Sequence, residues 1–286
     1  MKITIEHHGA NYQLDLASGR SIAIKQRFDT KQPNHFGAQQ AQKQPMQSGS
    51  FIGDTKQGGS CNVLEVQLNP HCNGTHTETV GHICHLDDEA TKTIADLSVL
   101  PLLPCALISV TPTHGQATCE DYVLAFEPED FVITQSAIAE ALSEIESDRL
   151  SALVIRTLPN STNKKQASYN AQQANAFLTT QAMAYLAELE IEHLIVDVPS
   201  IDRLNDQGLL ANHHLYWQVT PQSRHVSNHQ ASQKTITELA FIDDQLGDGF
   251  YFLNLQLPAW LTDAAPSQPV LYRPCQKSPS QGVVHD

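Results

Sequence analysis

The chain has 286 residues, 41% of them apolar and 17% charged, which is enough to bury a sizeable core as one large domain or two small ones. Its formal net charge of -14 argues against nucleic acid and against anionic membrane surfaces as partners, because both require clustered Lys and Arg. No apolar run approaches the roughly 18 residues of a membrane helix, the N-terminus lacks the apolar stretch of a signal peptide, and six scattered cysteines without a CxxC pair read as free thiols, so a cytoplasmic protein is expected.

Residues 1–30 alternate like one or two strands, with a hairpin turn expected at Ala17-Ser18-Gly19-Arg20. Residues 31–59 are polar and Gln-rich, a loop long enough to serve as an active-site cover or to be a surface insertion. Val63, Leu64, Val66 and Leu68 then read as a strand that delivers the chain to an unusual segment. That segment, from His71 to His82, contains His71, Cys72, His76, Glu78 and His82. In an extended strand His76, Glu78 and Val80 point to one face, with His82 following if the strand continues. Imidazole and carboxylate on one face suit zinc, manganese or iron, which accept N and O donors. Gly74 permits close backbone approach or a positive φ, and Thr75 offers a hydroxyl.

Further along, a buried strand is expected from Cys105 to Val110, a helix from Ile133 to Ser147 with Ser136 as its N-cap, and a buried strand over residues 151–157. A helix from Ala171 to Leu189 and an apolar strand at 193–200 complete a βαβ unit, which makes part of the sheet parallel. The C-terminal region, Thr235 to Arg273, carries two or three more strands. With no internal repeat and no clean linker, the reading is a single α/β domain over 1–286 with decorations. Downstream, His213 and His214 are adjacent and so point in different directions; one is a candidate ligand while the other packs or meets substrate. Glu238 lies in an apolar, β-branched run, where a buried carboxylate needs a partner: a metal, or an arginine such as Arg203 or Arg273. Asp197 and Asp202 read as supports for the site or, for Asp202, more simply as a turn cap.

These residues together resemble the cyclase family of metal-dependent hydrolases, whose best-known members are kynurenine formamidases. GTHTE followed by His82 is similar to the family signature HxGTHxDxPxH. SALVIRT, LIVDVPSID, ANHHLYW, TITEL and QPVLYRP are similar to later family segments in the same order, over about residues 55–275. The resemblance implies a swivelling β/β/α-type domain with a mixed sheet, usually a homodimer or homotetramer, and one or two divalent metals per subunit, zinc or manganese. It also implies that His76, Glu78, His213 or His214, and Glu238 hold the metal, and that His82 is an acid/base or a loose ligand. The family's first His falls on Cys72, with His71 one residue earlier; the signature Asp is Glu78 and its Pro is Val80.

The reaction expected on this basis is hydrolysis of an amide, arylformamide-like, by metal-activated water, with His82 moving the proton. Tyr216 and Trp217 beside the His pair are candidates for an aromatic-lined substrate pocket, or else core residues. Two alternatives stand beside this one: a hydrolase of a cyclic amide or lactone such as isatin, and a homologue that binds metal and small ligands without turnover.

Overall fold

In the computed structural model, residues 1–29, 31–145, 149–170 and 175–279 are described. Among them the main sheet holds nine strands: β1 (Arg20–Ser21), β2 (His76–Glu78), β3 (Leu103–Val110), β4 (Ala152–Thr157), β5 (His193–Val196), β6 (Thr235–Glu238), β7 (Gly249–Gln256), β8 (Ala264–Pro266) and β9 (Gln268–Tyr272). The helices are α1 (Pro70–Asn73), α2 (Gln135–Ser143), α3 (Thr180–Glu188) and α4 (Ala211–Tyr216). The strand order is β8-β2-β6-β5-β4-β3-β7-β9-β1. The β3–β6 block is parallel and both flanks are antiparallel, so the mixed sheet of the expected α/β fold is present.

The parallel block is buried on both faces, as its near-continuous apolar sequence requires. Alternation along β3, β4 and β5 sends Ala106, Ile108, Leu153, Ile155, Leu194 and Val196 into the layer under the helices. Cys105, Leu107, Ala152, Val154 and Ile195 go to the opposite layer, with Tyr251 and Leu253 from β7. Helix α3 lies between β4 and β5, buries Ala182, Met183 and Leu186, and starts where Thr179 Oγ1 accepts from the Ala182 amide at 3.1 Å. The expected βαβ unit is therefore correct.

Several boundaries differ from the sequence reading. The N-terminal hairpin pairs Lys2–His7 with Ala10–Asp15 and turns at His8-Gly9, not at 17–20. Gly9 has φ 71°, a conformation that glycine adopts without steric cost, and Asp15 caps a short 3₁₀ turn where the hairpin turn was expected. Helix α2 begins after Thr134, whose hydroxyl accepts from the Ala137 amide, so Thr134 and not Ser136 is the cap. Residues 146–147 of the expected helix at 133–147, and 171–174 of that at 171–189, lie outside the described residues; Phe177–Leu178 is a short strand ahead of α3. Leu64–Gln67 does form a strand, but outside the main sheet: it pairs with Gln42–Pro45 as a two-stranded exposed arm. The chain reaches the His-rich segment through α1 instead. No helix among the described residues is long and apolar enough to cross a membrane. All six cysteines are free.

Candidate metal centre

The site sits where the C-terminal ends of β5 and β6 meet β2. The pairing register places Glu238 of β6 directly opposite His76 of β2, so both side chains leave the sheet at one spot. The GTH turn that leads into β2 is fixed by packing. Gly74 has φ 165°, ordinary extended backbone, and a Cβ there would lie 2.6 Å from Gln26 Oε1, so any larger residue would displace the end of that side chain. The Thr75 hydroxyl accepts from the Ile24 amide and donates to the Leu239 carbonyl, so it ties three segments together and is spent on backbone. After β2 the chain does not stay extended; Val80–His82 is a 3₁₀ turn that swings His82 back toward Glu78.

His76 is fully buried, and its Nδ1–H donates to the Gly74 carbonyl at 3.1 Å. That bond leaves Nε2 of the neutral ring as a bare lone pair. Nε2 faces Glu238 Oε2 at 3.5 Å and has no hydrogen-bond partner. An acceptor thus confronts an acceptor in the interior, an arrangement that calls for a cation between or beside them. Glu78 shows the same anomaly. Its Oε1 accepts from His213 Nε2 at 2.9 Å, whereas its buried Oε2 lies 3.1 Å from His71 Nδ1 without making a hydrogen bond.

His213 is presented by α4 and held by Asp202, which accepts from its Nδ1 at 2.6 Å and from the Asn212 amide at 2.9 Å. Asp202 thus grips the start of α4, ten residues on, rather than only capping the turn after it as the sequence suggested, and it also orients a candidate ligand ring. Tyr122 donates its hydroxyl to the same carboxylate at 2.7 Å. Asp263, just ahead of β8, accepts from His71 Nε2 at 2.8 Å and lies 3.5 Å from His82 Nδ1. Three overlapping sets of side chains have ligand atoms within 4.8 Å of one another: His71, His76 and Glu78; His71, His82 and Asp263; Glu78, His82 and His213. Two apolar residues beside these groups, Leu239 after Glu238 and Leu210 before α4, have φ of 53° and 45°. Such backbone costs roughly 1–3 kcal/mol each and gathers at functional sites.

The charges reinforce one another. Burial alone would lower the pKa of His71, but Asp263 and then Glu78 outweigh it and raise it to about 10. His213 is likewise raised against its burial, by Glu78 and Asp202. Burial pushes Glu78 up, yet His82 and His213 hold it well below its usual range, and Asp263 is lowered against its burial by His71 and His82. Without a metal, then, protons on His71 and His213 compensate the carboxylates. Raised histidine pKa values stabilise the fold fully below about pH 6.5, the unfolded value, and that contribution fades as pH climbs toward about 10, the folded value of His71. Metal-free protein is therefore expected to lose melting temperature from pH 6.5 to 10, and zinc binding at pH 7 to release about one to two protons. Calorimetry in buffers of different ionisation heat reads the release; a heat that is independent of buffer would contradict it.

Not every sequence candidate reaches the site. His214 turns away: its Nδ1 donates to the Val219 carbonyl, and the residue lines a separate cavity of about 780 Å³ behind α4. Tyr216 and Trp217 are fully buried in the core, the first donating to the Ile191 and Thr235 carbonyls and the second to the Lys234 carbonyl, so neither can line a substrate pocket. Arg203 pairs with Glu127 and Asp130, and Arg273 lies over the Tyr251 ring; Glu238 instead accepts from the Ile201 amide. Cys72 is buried, and burial together with the charge of Glu238 pushes its thiol up to about 11, so a thiolate is disfavoured at neutral pH. The His71 ring is the one within reach of Glu78. Sequence reasoning missed Asp263, which precedes the strand that pairs with β2 and carried no signal in the sequence itself.

The Cyclase family model, described as "Putative cyclase", matches residues 17–203, which include the His71–His82 segment and Asp202 but stop short of His213 and Glu238. Among solved structures, isatin hydrolase A from Labrenzia aggregata is similar with a TM-score of 0.59 at 16% identity, over 90% of this chain and 95% of that one. Isatin hydrolase A from Ralstonia solanacearum is similar with a TM-score of 0.60 at 12% identity, over 90% and 92%. A predicted metal-dependent hydrolase from Bacillus stearothermophilus gives a TM-score of 0.54 at 16% identity, over 89% and 98%. No curated protein matches the sequence.

Proposed function

The chain belongs to the Cyclase family of metal-dependent hydrolases, and from that premise we propose that it hydrolyses the amide bond of a small arylformamide-like substrate at the His71–Glu238 site. The observation that carries the reading is a pair of buried ligand atoms without a hydrogen bond at the centre of a histidine–carboxylate cluster: His76 Nε2, and Glu78 Oε2 with the His71 and His82 rings beside it. The donor set fits a divalent cation of the zinc or manganese type, held by His76, Glu78, His213 and Glu238 with His71 or Cys72 as a further ligand. When bound, it would supply Lewis acidity, lowering the pKa of water toward neutrality and polarising a carbonyl.

The chain's own residues supply the rest. Asp202 fixes the His213 tautomer and ring plane, so that Nε2 stays aimed at Glu78. Glu78 directs one oxygen toward His213 and the other toward His71 and His82, so it would be a ligand to a cation held by the cluster. His82 is about a quarter exposed, whereas His76, Glu78 and His213 are buried, so it links the cluster to solvent. That placement suits a general acid/base that takes a proton and hands it to the leaving nitrogen, with Asp263 steadying its charged form.

The test is a substrate panel on zinc- and manganese-loaded protein, with formanilide for the arylformamide class and isatin for cyclic amides. Hydrolysis of formanilide supports the proposal. Hydrolysis of isatin alone moves it to the second reading, which keeps the same residues; isatin earns its place because isatin hydrolases share the fold. Tight zinc binding with no turnover of either would leave a binding homologue.

We also propose that the protein assembles as a homodimer or homotetramer. The arm formed by Gln42–Pro45 and Leu64–Gln67 supports this, since Leu64 and Val66 share one strand face at 50% and 58% exposure. An isolated two-stranded ribbon is marginal in water and gains stability by packing on another surface. Replacing Leu64 and Val66 with Asp is expected to shift the sedimentation coefficient from oligomer to monomer; a monomeric wild-type protein would contradict the assembly.

A further inference from the structure

His35 lies on a segment that folds back over α1. Asn34–His35 pairs in parallel with Ser168–Tyr169 and packs against Pro70–Asn73, the helix carrying His71. The segment is pinned on both sides. Gln32 Oε1 accepts from the Ala41 amide, Asn34 Nδ2 donates to the Ala38 carbonyl, and Asn73 Nδ2 donates to the Gln39 carbonyl. His35 is thus held in one place, 3% exposed, with its ring 4.0 Å from that of Phe36.

Neither ring nitrogen of His35 has a hydrogen-bond partner among the described residues. Buried polar atoms are nearly always paired, and an orphan costs roughly 1–3 kcal/mol, so a histidine that merely filled space would be the wrong residue for this position. Phe or Leu would fill it at lower cost. His35 is outside the three sets of side chains whose ligand atoms lie within 4.8 Å of one another. It lies near the candidate metal centre all the same, and burial above all lowers its pKa to about 4, which keeps the ring neutral. A neutral imidazole presents one N–H donor and one lone pair.

We propose that His35 is a substrate-contacting residue, whose ring hydrogen-bonds the polar group of the amide. This rests on the hydrolase reading above. A neutral donor–acceptor matches an amide, which carries both an N–H and a carbonyl oxygen. It also leaves the cation to the carboxylates and histidines of β2, β6 and α4.

The experiment compares wild-type protein with His35→Phe and His35→Asn, all zinc-loaded, for zinc content, melting temperature, kinetics on formanilide and isatin, and calorimetric binding of both. His35→Phe is expected to keep its zinc, to melt at the same temperature or a few degrees higher, and to raise KM or the Kd about tenfold or more. His35→Asn, which restores a donor and an acceptor, is expected to recover part of that loss. Unchanged KM and Kd in His35→Phe, or a fall in melting temperature with unchanged KM, overturns the assignment of His35 alone and leaves the hydrolase reading intact. Wild-type protein that neither binds nor hydrolyses either compound overturns both.

Discussion

Glu78→Gln is expected to cost the protein its tightly bound cation and to lower kcat/KM by on the order of 10³-fold or more, the several kcal/mol that a Lewis acid contributes. Glu78 appears in two of the three ligand sets and presents each oxygen to a different histidine. The amide is isosteric, so packing is preserved, but one oxygen is replaced by an NH₂ group that cannot ligate. His76→Ala is expected to act alike, because it removes the one ring whose tautomer is already set for ligation by the Gly74 carbonyl. Elemental analysis after dialysis, with circular dichroism as the control for folding, checks both. A Glu78→Gln protein that kept stoichiometric zinc and full turnover would remove the centre from the mechanism.

His82→Ala is expected to separate chemistry from binding. The side chain is partly exposed, and its nearest charges are Asp263 at 3.5 Å and Glu78 at 3.9 Å. A general acid/base contributes about 10²–10⁴ in rate, so kcat should fall by that factor while metal content and KM change little. Rescue by added imidazole, strongest for the poorest leaving groups, would mark proton transfer as the lost function. Loss of zinc in parallel with activity would instead make His82 a ligand.

The parallel core was legible because β3, β4 and β5 are apolar runs of strand length with a helix-period segment between them, and no tertiary information is needed to see that. The shared face of His76 and Glu78 was legible from spacing, and Glu238 from the strangeness of a carboxylate in an apolar strand, whereas His82 comes near them through a 3₁₀ turn and not through the continued strand that the spacing assumed. The choice between His213 and His214 was not. It depends on which way a six-residue helix is rotated, and that is set by Asp202 gripping the amides at its start. Asp263 and His35 left no mark either, since each gains meaning only from a neighbour far off in sequence: His71 lies 192 residues from Asp263. For the aromatic pair Tyr216–Trp217 the sequence left substrate pocket and core both open, and the structure places them in the core. Closeness in sequence to the ligand histidine placed them on the inward side of α4, where the core needs bulk.

The buried lone pairs of His76 Nε2 and Glu78 Oε2, neither in a hydrogen bond, are there to hold a cation. Crystals of zinc-loaded protein, with diffraction data collected above and below the zinc absorption edge, test this most directly. The account predicts an anomalous peak within about 2.0–2.2 Å of His76 Nε2 and of a Glu78 oxygen. Well-loaded crystals with no peak there, and His76 bonded instead to Glu238 through a proton, would contradict it.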